Sequence, residues 1–280
     1  MQNFSLVAPS QKGLCRSDVE TMLHELVSSS DNPLHKVLLL PPDYTRFHSY
    51  AGQLTNMLYH MLSLGCQVDI MPALGTHVPV SPEEWRSMFG DIPYSLMIAH
   101  NWRDDVVHVG DVPGEYVQAV SEGLLNKAIP VEINRRLLDT SYDLVLSIGQ
   151  VVPHEVAGMA NHTKNIFVGC GGTGMINASH MLGAVYGMEK IMGRDKTPVR
   201  AVFDYAAEHF ICGIPLHYLL TVTTAPGGNI CLHGLFSGND RRCFEDAAKL
   251  AQEKNMMLLD KPLKKVVVYL DPLEFKSTWL

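Results

Sequence analysis

The chain has 280 residues, room for one large α/β domain or for one domain plus part of another. A net charge of −7 at neutral pH argues against nucleic acid as the main partner, while an apolar fraction of 46% supports a sizeable core. No run reaches the ~18 apolar residues of a membrane span, no signal peptide is expected, and six cysteines without a CxxC pair suggest reduced thiols in the cytoplasm.

In chain order, residues 17–29 read as a capped helix, with Ser17 or Asp18 as N-cap and Val19, Met22, Leu23 and Leu26 as its apolar stripe. Residues 36–40 form a compact buried strand stopped by Pro41-Pro42. Asp43-Tyr44-Thr45-Arg46 follows directly. An acid and an arginine three apart, past a strand end, have two readings: an anion-binding fork, or a local Asp–Arg pair in a turn. Residues 53–64 are an amphipathic helix closed by Gly65, and 67–71 the next strand. The loop 72–77 then places His77 past a second strand end. Ser81-Pro82-Glu83-Glu84 opens another helix, with proline at its first position and acids in its first turn. From 91 to 140 the pattern is weaker. It suggests strands at 106–109 and 128–133 and a helix start at 134–137, with His100 and His108 structural.

The stretch from 144 to 180 holds the densest chemistry. A buried strand over 144–148 breaks at Gly149; Pro153-His154, a lone Lys164, a short apolar run at 166–168, a glycine loop at 169–174 and His180 in a helix follow. The loop Gly169-Cys-Gly-Gly-Thr-Gly174 matches G-x-G-x-x-G, the dinucleotide-binding pattern. No second strand ending in an acid lies ~20 residues on. Close approach of Gly171 and Gly172 to the phosphate of some other cofactor, at a helix N-terminus, is the better reading. The histidines lack zinc-site spacing. Beyond this stretch come the continuation of that helix over 181–192, a helix at 198–210, and a hairpin of strands 219–223 and 230–233. A helix at 243–254 and a strand at 264–270 follow, and the chain runs on into an apolar segment with Phe275, Trp279 and Leu280.

Taken together, Asp43-Tyr-Thr-Arg46, Gly75-Thr-His77, Pro153-His154, Lys164 and His180 resemble the nickel-dependent lactate racemases and their relatives, over nearly the whole chain. The last three keep that family's intervals of ten and sixteen residues. The resemblance implies a cofactor, a nickel-pincer nucleotide (pyridinium-3,5-bisthiocarboxylic acid mononucleotide nickel), attached at Lys164, with His180 as the protein's nickel ligand. It implies His77 and His154 as acid and base, Asp43 and Arg46 as the active-site acid and arginine, and Thr45, Gly171 and Gly172 as cofactor contacts. One departure is Asn161-His162-Thr163, where the family has small residues before the lysine. Another is the end at Leu280, where the family's closing C-terminal domain would begin.

The expected fold is α/β: a mostly parallel, Rossmann-like sheet flanked by helices, with residues 1–262 as the catalytic domain and 263–280 as the beginning of a truncated second domain. The expected function is racemisation or epimerisation at C2 of a small-molecule 2-hydroxy acid, with no nucleic acid or membrane partner and scope for a homo-oligomer. Without its closing domain the chain is expected to be inactive. Two alternatives stand beside it: a nicotinamide-dependent dehydrogenase using the 169–174 loop, and a non-catalytic cofactor- or ligand-binding domain.

Overall fold

The computed structural model describes residues 1–269 apart from Gln2, Asp31, Pro262 and Val268. The chain opens with β1 (Phe4–Val7), a short half-exposed edge strand that the sequence reading missed, and α1 (Arg16–Ser28). The four stripe residues of α1 are buried as expected. Its N-cap, however, is Cys15 and not Ser17 or Asp18, because the backbone is still extended at Cys15 and turns helical at Arg16. Ser17 Oγ meets Cys15 Sγ at 2.9 Å instead of capping.

β2 (Lys36–Leu40) sets the architecture. Val37 and Leu39 join one apolar cluster, Leu38 and Leu40 the other, and all four are fully buried. Two buried faces with period two require helices on both sides. α2 (Ala51–Leu62), β3 (Gln67–Ile70) and α3 (Pro82–Phe89) follow, the last opened by a Ser81–Glu84 capping box. β4 (Val106–Val112), α4 (Gly114–Val120) and β5 (Ile129–Asn134) make a side unit in which β4 and β5 pair antiparallel.

β6 (Leu144–Gln150) runs on through Gly149, whose backbone stays close to extended, so the expected break does not occur. β7 (Pro153–His154) and β8 (Gly158–Met159) form a small hairpin. The run 166–168 is not a strand. Residues Asn165–Gly169 form a π-helical turn, with Ile166, Phe167 and Val168 all buried, and a short apolar run does not distinguish the two. α5 (Thr173–Tyr186) carries His180. It ends at Gly187, where φ of +105° breaks the helix, and α6 (Met188–Ile191) restarts it. α7 (Pro198–Phe210), β9 (Leu216–Thr224), β10 (Cys231–Gly238) and α8 (Arg241–Asn255) complete the order.

The main sheet runs β1-β10-β9-β6-β2-β3, with the three pairings from β3 to β9 parallel and the two toward β1 antiparallel. The fold is thus α/β with a mostly parallel sheet. α1, α2 and α3 cover one face, and α5, α7 and α8 the other. From β2 the chain moves outward to β3, and from β6 it moves the opposite way to β9. The carboxyl ends of β2 and β6 therefore flank a switch point, where such sheets bind ligands. Among the described residues of 264–269 none forms a strand. Val266, Val267 and Tyr269 are exposed. The apolar segment of Phe275, Trp279 and Leu280 lies outside the described residues. No helix among the described residues is long and apolar enough to cross a membrane.

Candidate active site

A pocket of about 270 Å³ opens at that switch point. Past β2, Pro41-Pro42 ends the strand, and Asp43 caps the 3-10 helix Tyr44–Ser49 by accepting from the Thr45 amide at 3.2 Å and its hydroxyl at 2.5 Å. Thr45 and Arg46 of that turn line the pocket. Past β3, the turn at Gly75 brings His77 to the same rim. The β7–β8 hairpin adds His154, the segment before the π turn adds Lys164, and the second turn of α5 adds His180. Residues up to 137 positions apart in sequence converge on one cavity.

Asp43 does not pair with Arg46. Its buried carboxylate accepts from His77 Nδ1 at 2.5 Å, and that bond raises the His77 pKa. Arg46 makes no ion pair among the described residues and stays exposed at the mouth, so the turn-pair reading fails and the guanidinium remains open to an anion. The sequence held the signal for Asp43–His77, since both follow the ends of adjacent strands.

His154 sits in opposite surroundings. It is 7% exposed, and its Nδ1 accepts from the amides of Val156 and Ala157 at 3.1 and 3.4 Å, which places the ring proton on Nε2. Burial, reinforced by the charges of Lys164, Arg46, His180 and Arg200, pushes its pKa down to about 2. Lys164 makes no hydrogen bond or ion pair among the described residues. Burial, with Arg46 and Arg200 nearby, lowers its pKa to about 8, within reach of the free amine. His180 Nδ1 donates to Ile176 O at 2.6 Å, so its Nε2 lone pair is free for a metal.

Gly171 and Gly172 are not brought to the pocket. A Cβ on Gly171 would strike Phe167 O, and one on Gly172 the Glu132 carboxylate. Glu132 Oε2 accepts from the Gly174 amide at 2.7 Å, so a side chain of the protein already occupies the first turn of α5. With no strand before the loop and an internal carboxylate at the helix start, the dinucleotide reading loses its basis. Gln150, Glu155 and Asn161, which the sequence did not single out, also line the pocket. Glu155 Oε2 lies 3.6 Å from His154 Nδ1.

A model of the lactate racemase N-terminal domain matches residues 18–192. No curated protein matches the chain. Among solved structures, a protein from Thermotoga maritima is 24% identical with a TM-score of 0.83, over 93% of this chain and 63% of that one. The lactate racemase apoprotein from Thermoanaerobacterium thermosaccharolyticum is 18% identical with a TM-score of 0.63, over 84% of this chain and 55% of that one. The chain thus spans less than two thirds of either structure, and at these identities the likeness is one of fold.

Proposed function

The chain belongs to the lactate racemase N-terminal domain family, and from that footing we propose that its pocket inverts C2 of a 2-hydroxy acid. The observation that carries the reading is the convergence of Asp43, Arg46, His77, His154, Lys164 and His180 on one cavity at the switch point of the sheet.

The residues fit the nickel-pincer nucleotide. Among the described residues no group of three or more His, Cys, Asp or Glu is placed to hold a metal, so a metal here must arrive with most of its donors. A single histidine with a free Nε2 and a backbone-fixed Nδ1–H is the complement such a group needs, and His180 provides it. Lys164 offers an unpaired amine of depressed pKa for the covalent link. When bound, the group supplies a reversible acceptor for the C2 hydride.

The remaining roles belong to the chain. Arg46 binds the substrate carboxylate through its planar fork. His77, with Nδ1 tied to Asp43, exchanges the hydroxyl proton at Nε2. His154 holds a proton on Nε2 and, from the other side of the pocket, donates it as a hydrogen bond to the substrate oxygen. The six free cysteines suit the cytoplasmic setting we propose.

The test is to produce the protein alongside the cofactor's biosynthetic enzymes. Peptide masses, nickel content and chiral analysis of 2-hydroxy acids are then measured. An adduct at Lys164, with nickel in proportion and lost in a folded His180→Ala variant, is the expected result. Turnover by protein whose Lys164 is unmodified would overturn the assignment.

A further inference from the structure

Arg200, on the first turns of α7, is the largest charged side chain in the interior, at 1% exposure. Among the described residues its guanidinium makes no ion pair with a carboxylate. Nη2 donates to Met159 O at 2.6 Å, and Nη1 donates to Asn161 O at 3.1 Å and to Thr163 Oγ1 at 2.8 Å. All three acceptors lie in the five residues before Lys164. Thr163 passes the contact on by donating to Asp204, which pairs with Arg241.

The segment held this way is strained. Asn161 and His162 adopt φ of +64° and +57°, a left-handed pair without glycine, which persists only where the surroundings fix it. The His162 ring is buried between Tyr218, with centroids 4.0 Å apart, and Phe244, at 5.2 Å. Neither ring nitrogen makes a hydrogen bond of ordinary geometry among the described residues, so His162 acts as an apolar wedge. The guanidinium of Arg200 lies 4.3 Å from the same Phe244 ring, which therefore braces both residues.

We infer that Arg200 is a positioning residue for Lys164: it clamps the strained Met159–Thr163 turn and so sets the ε-amine in the pocket beside His154 and His180. Because the clamp uses neutral oxygens, its charge is left unneutralised inside the protein. That charge also bears on Lys164 and favours the free amine. This role serves the attachment proposed for Lys164, yet it concerns the amine itself and is tested without cofactor.

The test acylates the full, cofactor-free chain with an N-hydroxysuccinimide ester of acetic acid. The amine nitrogen attacks the ester carbonyl, the carbon–oxygen bond breaks, N-hydroxysuccinimide leaves and the amine proton passes to buffer. Peptide masses give the labelling rate of Lys164 from pH 6 to 10, with circular dichroism as the check on folding. Arg200→Met, which loses clamp and charge, is expected to move the midpoint of the Lys164 profile upward. A move of about one pH unit means roughly tenfold slower labelling at neutral pH. Arg200→Lys, which keeps a cation without the fork, is expected to hold the midpoint while the plateau rate changes. If Arg200→Met does not fold, Arg200→Lys decides alone. Unchanged rate and midpoint in the folded variants would make Arg200 an ordinary core residue. That result would leave the cofactor reading standing, just as absence of the cofactor adduct would leave this profile unaffected.

Discussion

Two histidines share one pocket and meet opposite fields. His77 is held by the Asp43 carboxylate and raised, whereas His154 is buried among cations and pushed to about 2. Groups driven apart in this way are suited to different proton-transfer roles. The Asp43 bond is the first cause of the His77 shift, so Asp43→Asn is expected to bring the His77 midpoint down toward the ordinary histidine value of about 6.5. A titration of the ring resonances by NMR reads this directly, and an unmoved midpoint would separate His77 from Asp43. A histidine with a raised pKa contributes fully below the unfolded value, and its contribution fades as pH rises through the folded one. The asparagine variant should therefore lose stability mainly on the acid side of the His77 midpoint. The sequence showed both residues past strand ends but weighed Asp43 only against Arg46, as an anion fork or a turn pair, because proximity in the chain outweighed the adjacency of two strand ends.

At the scale of elements, the start of α5 shows where pattern misleads. G-x-G-x-x-G followed by a helix has the composition of a phosphate cradle, yet Glu132 from β5 reaches the Gly174 amide at 2.7 Å and takes that place. The glycines allow close approach to Phe167 O and to Glu132. Glu132→Ala should then act as loss of a helix cap and cost about 1 kcal/mol. Urea unfolding measures it, and an unchanged midpoint would mean that the carboxylate contributes nothing to the helix. Elements defined by period and caps were legible: α3 with its capping box, α7 from proline to Phe210, and β2 between its polar neighbour and two prolines. Those defined only by tertiary packing were not. β1 exists because β10 offers an edge, and the π turn at Asn165–Gly169 because Asn165 bonds Leu40 O and Ser147 in the interior. Of the residues that line the pocket, Asp43, Arg46, His77, His154, Lys164 and His180 were legible as types at fixed intervals. The clamp of Arg200 was not, since its acceptors lie 37 to 41 residues upstream and are partly backbone atoms.

For the molecule as a whole, the buried imidazoles control the response to acid. His154, His162 and His217 are each at most 7% exposed, and burial depresses all three, as it does the buried His100 and His233. His217, bonded to Ser237 at 2.8 Å, is lowered to about 4 and His154 to about 2. In the unfolded chain each binds a proton near pH 6.5, so below that value the unfolded state holds more protons and stability falls with falling pH. The three most deeply depressed groups give a slope of up to about 4 kcal/mol per pH unit between pH 6 and 5, and His100 and His233, lowered as well, add to it in the same direction. His77 does not offset this, because its raised pKa means that its contribution is already complete in that window. The expected outcome is a urea midpoint that is nearly level above pH 7 and drops steeply between pH 6 and 5. His162→Phe keeps an aromatic ring between Tyr218 and Phe244 and removes one titrating group. It should reduce the acid slope by one proton's share, about 1.4 kcal/mol per pH unit. A midpoint that stays level down to pH 5 would show that these histidines take up protons in the folded state, and the neutral wedge assigned to His162 would then be wrong.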